Sequence, residues 1–335
     1  GRALTFETHA VVVGTAIANS RKPAWFCTGF IEGTTRLDHY LGMDVGGTAT
    51  RWVVLDSNGC LLGRGVADGA TGLIYDTASL TTFTRALTMV GNALPGQISF
   101  AHLGITGVGF SRHRQVENAM QETFGLTPAQ YSYSNDMILG WHAAFPKGHG
   151  HLVSAGTGSI GVSIGEDEKV TIVGGRGILV DDGGSGAWIA LRALDQVYRL
   201  IDEHGTALGA EVLAASIFKA MGGDDRDTAR AYIYGRDRGQ IGMLAVAVAS
   251  AARKGDTLAA GILEQAGREL ARLGTALIRR CGTAPLAFIG GVLALDPSIR
   301  SVIEHELTRN NLAFPRIDAA LHAAEMARAK GQGIK

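Results

Sequence analysis

The sequence predicts an α/β fold assembled from two similar halves. Three observations carry this expectation. Short apolar runs with strand character alternate with longer stretches of helical composition, the pattern of layered α/β proteins. A strand, glycine turn, strand unit that begins at Leu41 recurs in weaker form at Leu152. The chain also holds 47 glycines but only 7 prolines. They gather in short non-repeating groups between apolar runs, which suits turns where backbone must approach a ligand closely.

Residues 1–40 lack sustained periodicity, and Lys22-Pro23 interrupts them. They read as a leader of uncertain role. Ala10–Ala18 has the apolar character of a signal-peptide core, but Glu7 and His9 precede it and only Arg2 is positive. The pattern sharpens at Leu41–Val45, a short apolar strand ending in Asp44-Val-Gly-Gly-Thr48. Arg51–Leu55 is a second strand, Asp56-Ser-Asn-Gly59 a hairpin tip and Cys60–Ala67 a third strand. A helix is expected over Thr77–Leu94, a strand over Ile98–Ile105, a helix near Arg114–Phe124, strand character at Tyr131–Asp136 and a helix over Met137–Phe145.

Pro146–Gly150 reads as a linker between an N-terminal domain, 41–147, and a C-terminal domain, 148–312. Leu152–Ala155 and Ile160–Ile164 are strands around the turn Gly156-Thr-Gly-Ser159. Helices are expected near Ser185–Glu203, Ala210–Met221, Gln240–Lys254 and Thr257–Cys281. Leu286–Ile289 is a strand running into Gly290-Gly291, followed by a helix near Pro297–Thr308. A last helix over 318–330 is expected to complete the N-terminal domain.

Composition excludes several classes. Lys plus Arg equals Asp plus Glu, at 31 each, so no broad basic field awaits nucleic acid. An anionic ligand must therefore be held by local devices. Cys27, Cys60 and Cys281 are too dispersed for a zinc or iron–sulfur site within the chain, and their sparseness fits a reducing, cytoplasmic setting. No apolar run reaches the roughly 18 residues of a membrane span.

Five constellations carry chemistry. In Asp44-Val-Gly-Gly-Thr48, Gly46 and Gly47 permit a tight turn, Thr48 adds a hydroxyl, and Asp44 could hold Mg²⁺ through water. Alone, this is equally a plain hairpin. Gly156, Thr157, Gly158 and Ser159 form a second candidate anion cradle, and two cradles can grip a polyphosphate from both sides. Gly290 and Gly291 allow flat packing against a base, or simply join strand to helix. Asp136, in Ser134-Asn-Asp136, could accept a hydroxyl proton in phosphoryl transfer, or could cap the next helix. Asp182 could bond substrate hydroxyls, and Ser185 after it could cap a helix.

The order of these segments resembles the sugar kinase/Hsp70/actin superfamily and, within it, the BadF/BadG/BcrA/BcrD ATPase family with its N-acetylglucosamine and glucosamine kinases. The matching segments are Leu41–Thr48, Leu103–Gly109, Asn135-Asp136, Val153–Ser159, Asp182–Trp188 and Ile289–Val292. The resemblance implies two actin-like (ribonuclease H-like) domains, each a mixed sheet flanked by helices, around a nucleotide cleft. It implies ATP and Mg²⁺ as cofactors, with Asp44 organising the metal and the two turns holding the β- and γ-phosphates. Gly290 and Gly291 would border the adenosine. Asp136 would be the catalytic base. Thr106, Gly107, Asn135 and Asp182 would face a hydroxylated acceptor, a sugar or amino sugar. Relatives of this kind are often homodimers.

Two departures bear on the acceptor. The family's sugar-binding Asn is absent from the loop Asp68–Leu73, and its Asp-Glu-Gly-Ser segment here reads Asp182-Gly-Gly-Ser185. Two other functions compete: an ATPase activator of a radical dehydratase, which would need cluster-ligating cysteines, and a non-catalytic nucleotide-dependent regulator.

Overall fold

Leu41, Met43 and Val45 are fully buried while Gly42 between them carries no side chain, because β1 (Tyr40–Val45) lies at the centre of a sheet with both faces covered. The computed structural model describes residues 38–109, 111–145 and 148–333. The expectations for the leader, the signal-like stretch Ala10–Ala18 and Cys27 lie outside these residues. The strands β2 (Ala49–Leu55) and β3 (Leu61–Asp68) continue antiparallel from β1. Their connection is the expected tip: Asp56 accepts hydrogen bonds from the amides of Asn58 and Cys60, both at 2.8 Å, and Gly59 takes φ 83°.

The chain then crosses over through α1 (Thr77–Ala93) to β4 (Phe100–Ile105), and through α2 (Arg114–Phe124) to β5 (Tyr131–Asn135). The strand β4 is parallel to β1, and β5 to β4, giving the order β3-β2-β1-β4-β5.

After α3 (Asp136–Ala144), β6 (His151–Ala155), β7 (Ser159–Ile164) and β8 (Val170–Gly174) repeat the antiparallel meander. A helical block follows: α4 (Gly186–His204), α5 (Glu211–Met221), α6 (Arg226–Tyr234), α7 (Arg238–Gly242), α8 (Leu244–Arg253) and α9 (Thr257–Cys281). The strand β9 (Leu286–Ile289), α10 (Pro297–Glu306), β10 (Leu312–Ala313) and α11 (Ala319–Gly331) complete the chain. The second sheet has the order β10-β9-β6-β7-β8, the same path as the first. The predicted pair of mixed sheets flanked by helices, the actin-like plan, is present.

Four local expectations are corrected. The strands β8 and β10 and the helix α6 were not expected. The single helix expected over Gln240–Lys254 is two helices, because Asp237 caps α7 and the chain bends at exposed Met243.

The last helix lies on the first sheet. It presents a stripe of buried small residues, Ala320, Ala323, Ala324 and Ala327. A methyl group at Gly42 would overlap the backbone of Ala320 and Ala324, so glycine here sets how closely α11 approaches β1. Among the described residues, no helix is long and apolar enough to cross a membrane.

Candidate active site

Val45, Ile105 and Asn135 stand in register across β1, β4 and β5, so three parallel strands end on one row. Ligands of such sheets gather at the carboxyl ends of the strands. The residues that follow this row are Gly46–Thr48, Thr106-Gly107 and Asp136, all expected site residues. The backbone stitches them together. The Thr106 amide donates to the Val45 carbonyl at 2.9 Å, the Ala70 amide to Gly46 at 3.0 Å, and the Gly72 amide to Thr106 at 2.8 Å. The loop that lacks the expected Asn thus still seals this edge. It also brings an apolar side chain: Leu73 lies over Gly107, which takes φ 78°.

Of the two roles that sequence left open here, the helix cap falls to Asn135. Asn135 is the cap of α3, accepting from the Met137 amide at 2.9 Å, and its side-chain amide donates to the Val108 carbonyl at 2.8 Å. Its side chain is therefore committed at both ends. Asp136 is the first helical residue, and its Oδ2 accepts from the Thr106 hydroxyl at 2.6 Å. Burial raises its pKa above the usual carboxylate range, against the hydrogen bonds and the Arg238 charge, which lower it.

Asp44 is one quarter exposed, and its pKa is pushed up to about 6 by burial first and the Asp136 charge second. Arg51, 3.8 Å away, opposes that rise. A second carboxylate that raises the proton affinity of Asp44 leaves the site short of positive charge. Among the described residues no group of three or more metal-ligating side chains exists. A hard cation held by one or two carboxylates, with waters and phosphate oxygens completing its shell, fits this donor set.

In the second sheet, Ser154 of β6 and Ile289 of β9 are in register, and the two glycine turns leave from that edge. The Gly156 amide donates to Gly158 at 2.9 Å, which closes the turn. A methyl at Gly156 or Gly291 would meet nothing within 4 Å, so both open onto free space. Gly290 differs: it takes φ 112°, and a methyl there would collide with the backbone of Ala155. Gly290 serves the close passage of two strands, and Gly291 faces outward.

Two expected site residues point away from the opening. Ser159 is 2% exposed, and its hydroxyl donates to the Gly183 carbonyl at 2.7 Å. Asp182 is also 2% exposed, sits behind the Gly158-Ser159 turn with φ 61°, and accepts weakly from the Ser159 amide at 3.4 Å. Its Oδ2 has no hydrogen-bond partner. Burial raises its pKa as well, with Arg238 opposing. The expected cap is confirmed: the Trp188 amide donates to the Ser185 hydroxyl at 3.1 Å.

The two turns meet at their tips, where the hydroxyls of Thr48 and Thr157 are 3.3 Å apart. The start of α7 sits against them: a methyl at Gly239 would lie 3.4 Å from the Thr48 hydroxyl and 3.9 Å from that of Thr157. This brings in Arg238, which sequence reasoning missed. Its guanidinium is 3.7 Å from the orphaned Asp182 Oδ2. No local signal separates it from Arg236, two residues earlier, which stacks on Tyr232 at 4.6 Å.

Comparison with known proteins agrees with this layout. Residues 41–327 match the model of the BadF/BadG/BcrA/BcrD ATPase family. A glucosamine kinase of Vibrio cholerae is 27% identical over 164 residues, covering 48% of this chain and 55% of that protein. An N-acetylmuramic acid/N-acetylglucosamine kinase of Clostridium acetobutylicum is 31% identical over 140 residues, covering 41% of this chain and 44% of that protein. The chain therefore matches about half the length of these curated relatives. A Chromobacterium violaceum structure assigned as an N-acetylglucosamine kinase superposes with TM-score 0.68 at 27% identity, covering 87% of this chain and 99% of that one. The duplicated sheets, the paired glycine turns and the match over nearly the whole described chain lead to one conclusion: the protein belongs to the BadF/BadG/BcrA/BcrD ATPase family.

Proposed function

We propose that this protein is an ATP-dependent kinase that phosphorylates a hydroxyl of a small sugar, with an amino sugar of the glucosamine or N-acetylglucosamine type as the leading acceptor. The observation that carries this reading is Asp136, held by Thr106 on the same strand-end row as the first glycine turn. The names of the relatives support the acceptor class. Leu73 over Gly107 supports an acceptor with an apolar part on that side, such as the methyl of an N-acetyl group.

In this mechanism Asp136 takes the proton of the acceptor hydroxyl. Its raised pKa, caused by burial, makes it a better base than an exposed carboxylate. As the acceptor oxygen bonds to the γ-phosphorus, the bond from that phosphorus to the β–γ bridging oxygen breaks and ADP departs. Gly47, Thr48, Thr157 and Gly158 offer amides and hydroxyls to the phosphates from two sides, on turns that the Gly46 and Gly156 amides close by donating to the Ala49 and Gly158 carbonyls. Gly291 provides a flat approach for the adenosine. Asp44, with Asp136 beside it, would hold Mg²⁺, which when bound supplies charge neutralisation for the phosphates. Asn135 and Ser159 keep the geometry instead of touching ligand. Residues 41–147 with α11, and 148–312, act as two lobes that close on the acceptor and exclude water.

The deciding experiment is an ADP-release screen over sugars, amino sugars and sugar acids, with Asp136→Asn as control. Turnover with an amino sugar that Asp136→Asn abolishes is the expected result. No turnover with any acceptor, or full activity of Asp136→Asn, overturns the reading.

A further inference from the structure

We propose that Arg238 on α7 is the residue that grips the γ-phosphate of the bound nucleotide, with buried Asp182 as the anchor that aims it. This rests on the nucleotide reading above and adds a charged group that the family-like motifs do not contain.

Three independent observations converge. First, Asp182 Oδ2 is buried and without a hydrogen-bond partner, and the nearest cation is Arg238 Nη1 at 3.7 Å. A buried carboxylate is costly unless a counter-charge sits beside it. The pair is loose, beyond hydrogen-bond distance, so the guanidinium is steered without being consumed. Second, Arg238 donates no hydrogen bond among the described residues, and its side chain is 41% exposed. Five N–H donors therefore remain for an incoming group, in the fork geometry that matches phosphate oxygens. Third, α7 delivers this fork to the right place. The next residue, Gly239, lies against the hydroxyls of Thr48 and Thr157, the tips of both phosphate turns.

The charge balance of the site gives the same answer. Asp44, Asp136 and Asp182 are all raised by burial, and Arg238 acts on both Asp136 and Asp182. A triphosphate brings further negative charge beside these groups. Asp44 already has Arg51; the cation whose charge acts on both Asp136 and Asp182 is Arg238. From there it would supply positive charge to the phosphoryl group that faces the base.

The test is equilibrium binding, which needs no acceptor. The full chain is titrated with Mg²⁺ plus the β,γ-imido analogue of ATP, and separately with Mg²⁺ plus ADP. Arg238→Met is expected to lose about tenfold or more in affinity for the triphosphate analogue and no more than about threefold for ADP, the scale of one charge-assisted hydrogen-bond pair. Arg238→Lys should recover part of the difference, and Arg236→Met, whose partner is Tyr232, should leave both affinities unchanged. Equal losses for the two ligands, or no loss for either, overturn the proposal and reduce Arg238 to a prop for Asp182. Failure of the acceptor screen with this binding pattern intact would refute only the sugar kinase reading. Failure of the unaltered chain to bind either nucleotide would refute both.

Discussion

The hydroxyls of Thr48 and Thr157, 109 positions apart in sequence, lie 3.3 Å from each other at the tips of the two glycine turns. A phosphate group needs more room than that between two hydroxyl oxygens. In the proposed clamp, the nucleotide must part this contact before both turns can hold it.

The first prediction follows from that contact. Cysteines at both positions, Thr48→Cys with Thr157→Cys, would put their sulfurs where the two hydroxyls now meet and are expected to pair on oxidation. The oxidised double variant should lose about tenfold or more in ATP affinity and regain it on reduction, whereas the unaltered chain given the same treatment should not change. Nucleotide binding by calorimetry reads the outcome. A crosslinked variant that binds ATP normally would show that the phosphates lie elsewhere.

A second prediction concerns proton affinity. The Thr106 hydroxyl stabilises ionised Asp136 through a 2.6 Å hydrogen bond and so holds down a pKa that burial raises. Thr106→Val removes that donor. The Asp136 pKa then climbs, and the base is protonated at higher pH. The acid limb of kcat/KM should move to higher pH. An unmoved limb with a reduced plateau would assign Thr106 to positioning alone.

Asp44 gives a stability prediction. Its pKa rises from the ordinary 3.8 to about 6 in the fold. The native state therefore holds this proton more tightly than the unfolded chain. The stabilisation this provides is complete below pH 3.8, declines between there and about pH 6, and is absent above. Asp44→Asn cannot ionise. At pH 8 without ligand it should be more stable than the parent by ~1–3 kcal/mol, and at pH 3.5 nearly equal. Urea unfolding at both pH values checks this. The same variant should lose the stabilisation that Mg²⁺ with ATP gives the parent, an exchange of stability for function common at active sites.

Gly290 and Gly291 are neighbours with opposite expectations. Alanine at Gly290 faces a positive φ and the Ala155 backbone, and should cost at least ~2 kcal/mol of stability. Alanine at Gly291 projects into open space. Gly291→Ala should fold with an unchanged melting temperature and bind ATP less tightly. Equal melting temperatures for both variants would refute the assignment.

The parts of this site that could be read in the sequence are those whose cause is local. A glycine turn after an apolar strand shows in a handful of residues because backbone freedom and strand periodicity are properties of the segment itself. Asp44–Thr48, Thr106-Gly107, Asn135-Asp136, Gly156–Ser159 and Gly290-Gly291 all occupy strand ends for that reason. The misses are equally physical. The two residues of β10 are a strand only because β9 lies beside them, and no periodicity exists over such a length. Asp237 marks the start of α7, yet an Asp between two arginines reads as solvated loop until the helix is seen.

By itself, the sequence determined the alternation of elements, the repeated turn and the family, since each rests on short-range pattern and order along the chain. Only the tertiary structure decided which way the side chains face. Ser159 and Asp182 belong to expected motifs, but packing turns them behind the second turn. Arg238 belongs to no motif, and the fold brings it within 3.7 Å of Asp182, 56 positions away. Direction and distance of that kind depend on how helices settle against sheets, which is set by burial over the whole molecule and leaves no trace in any one segment.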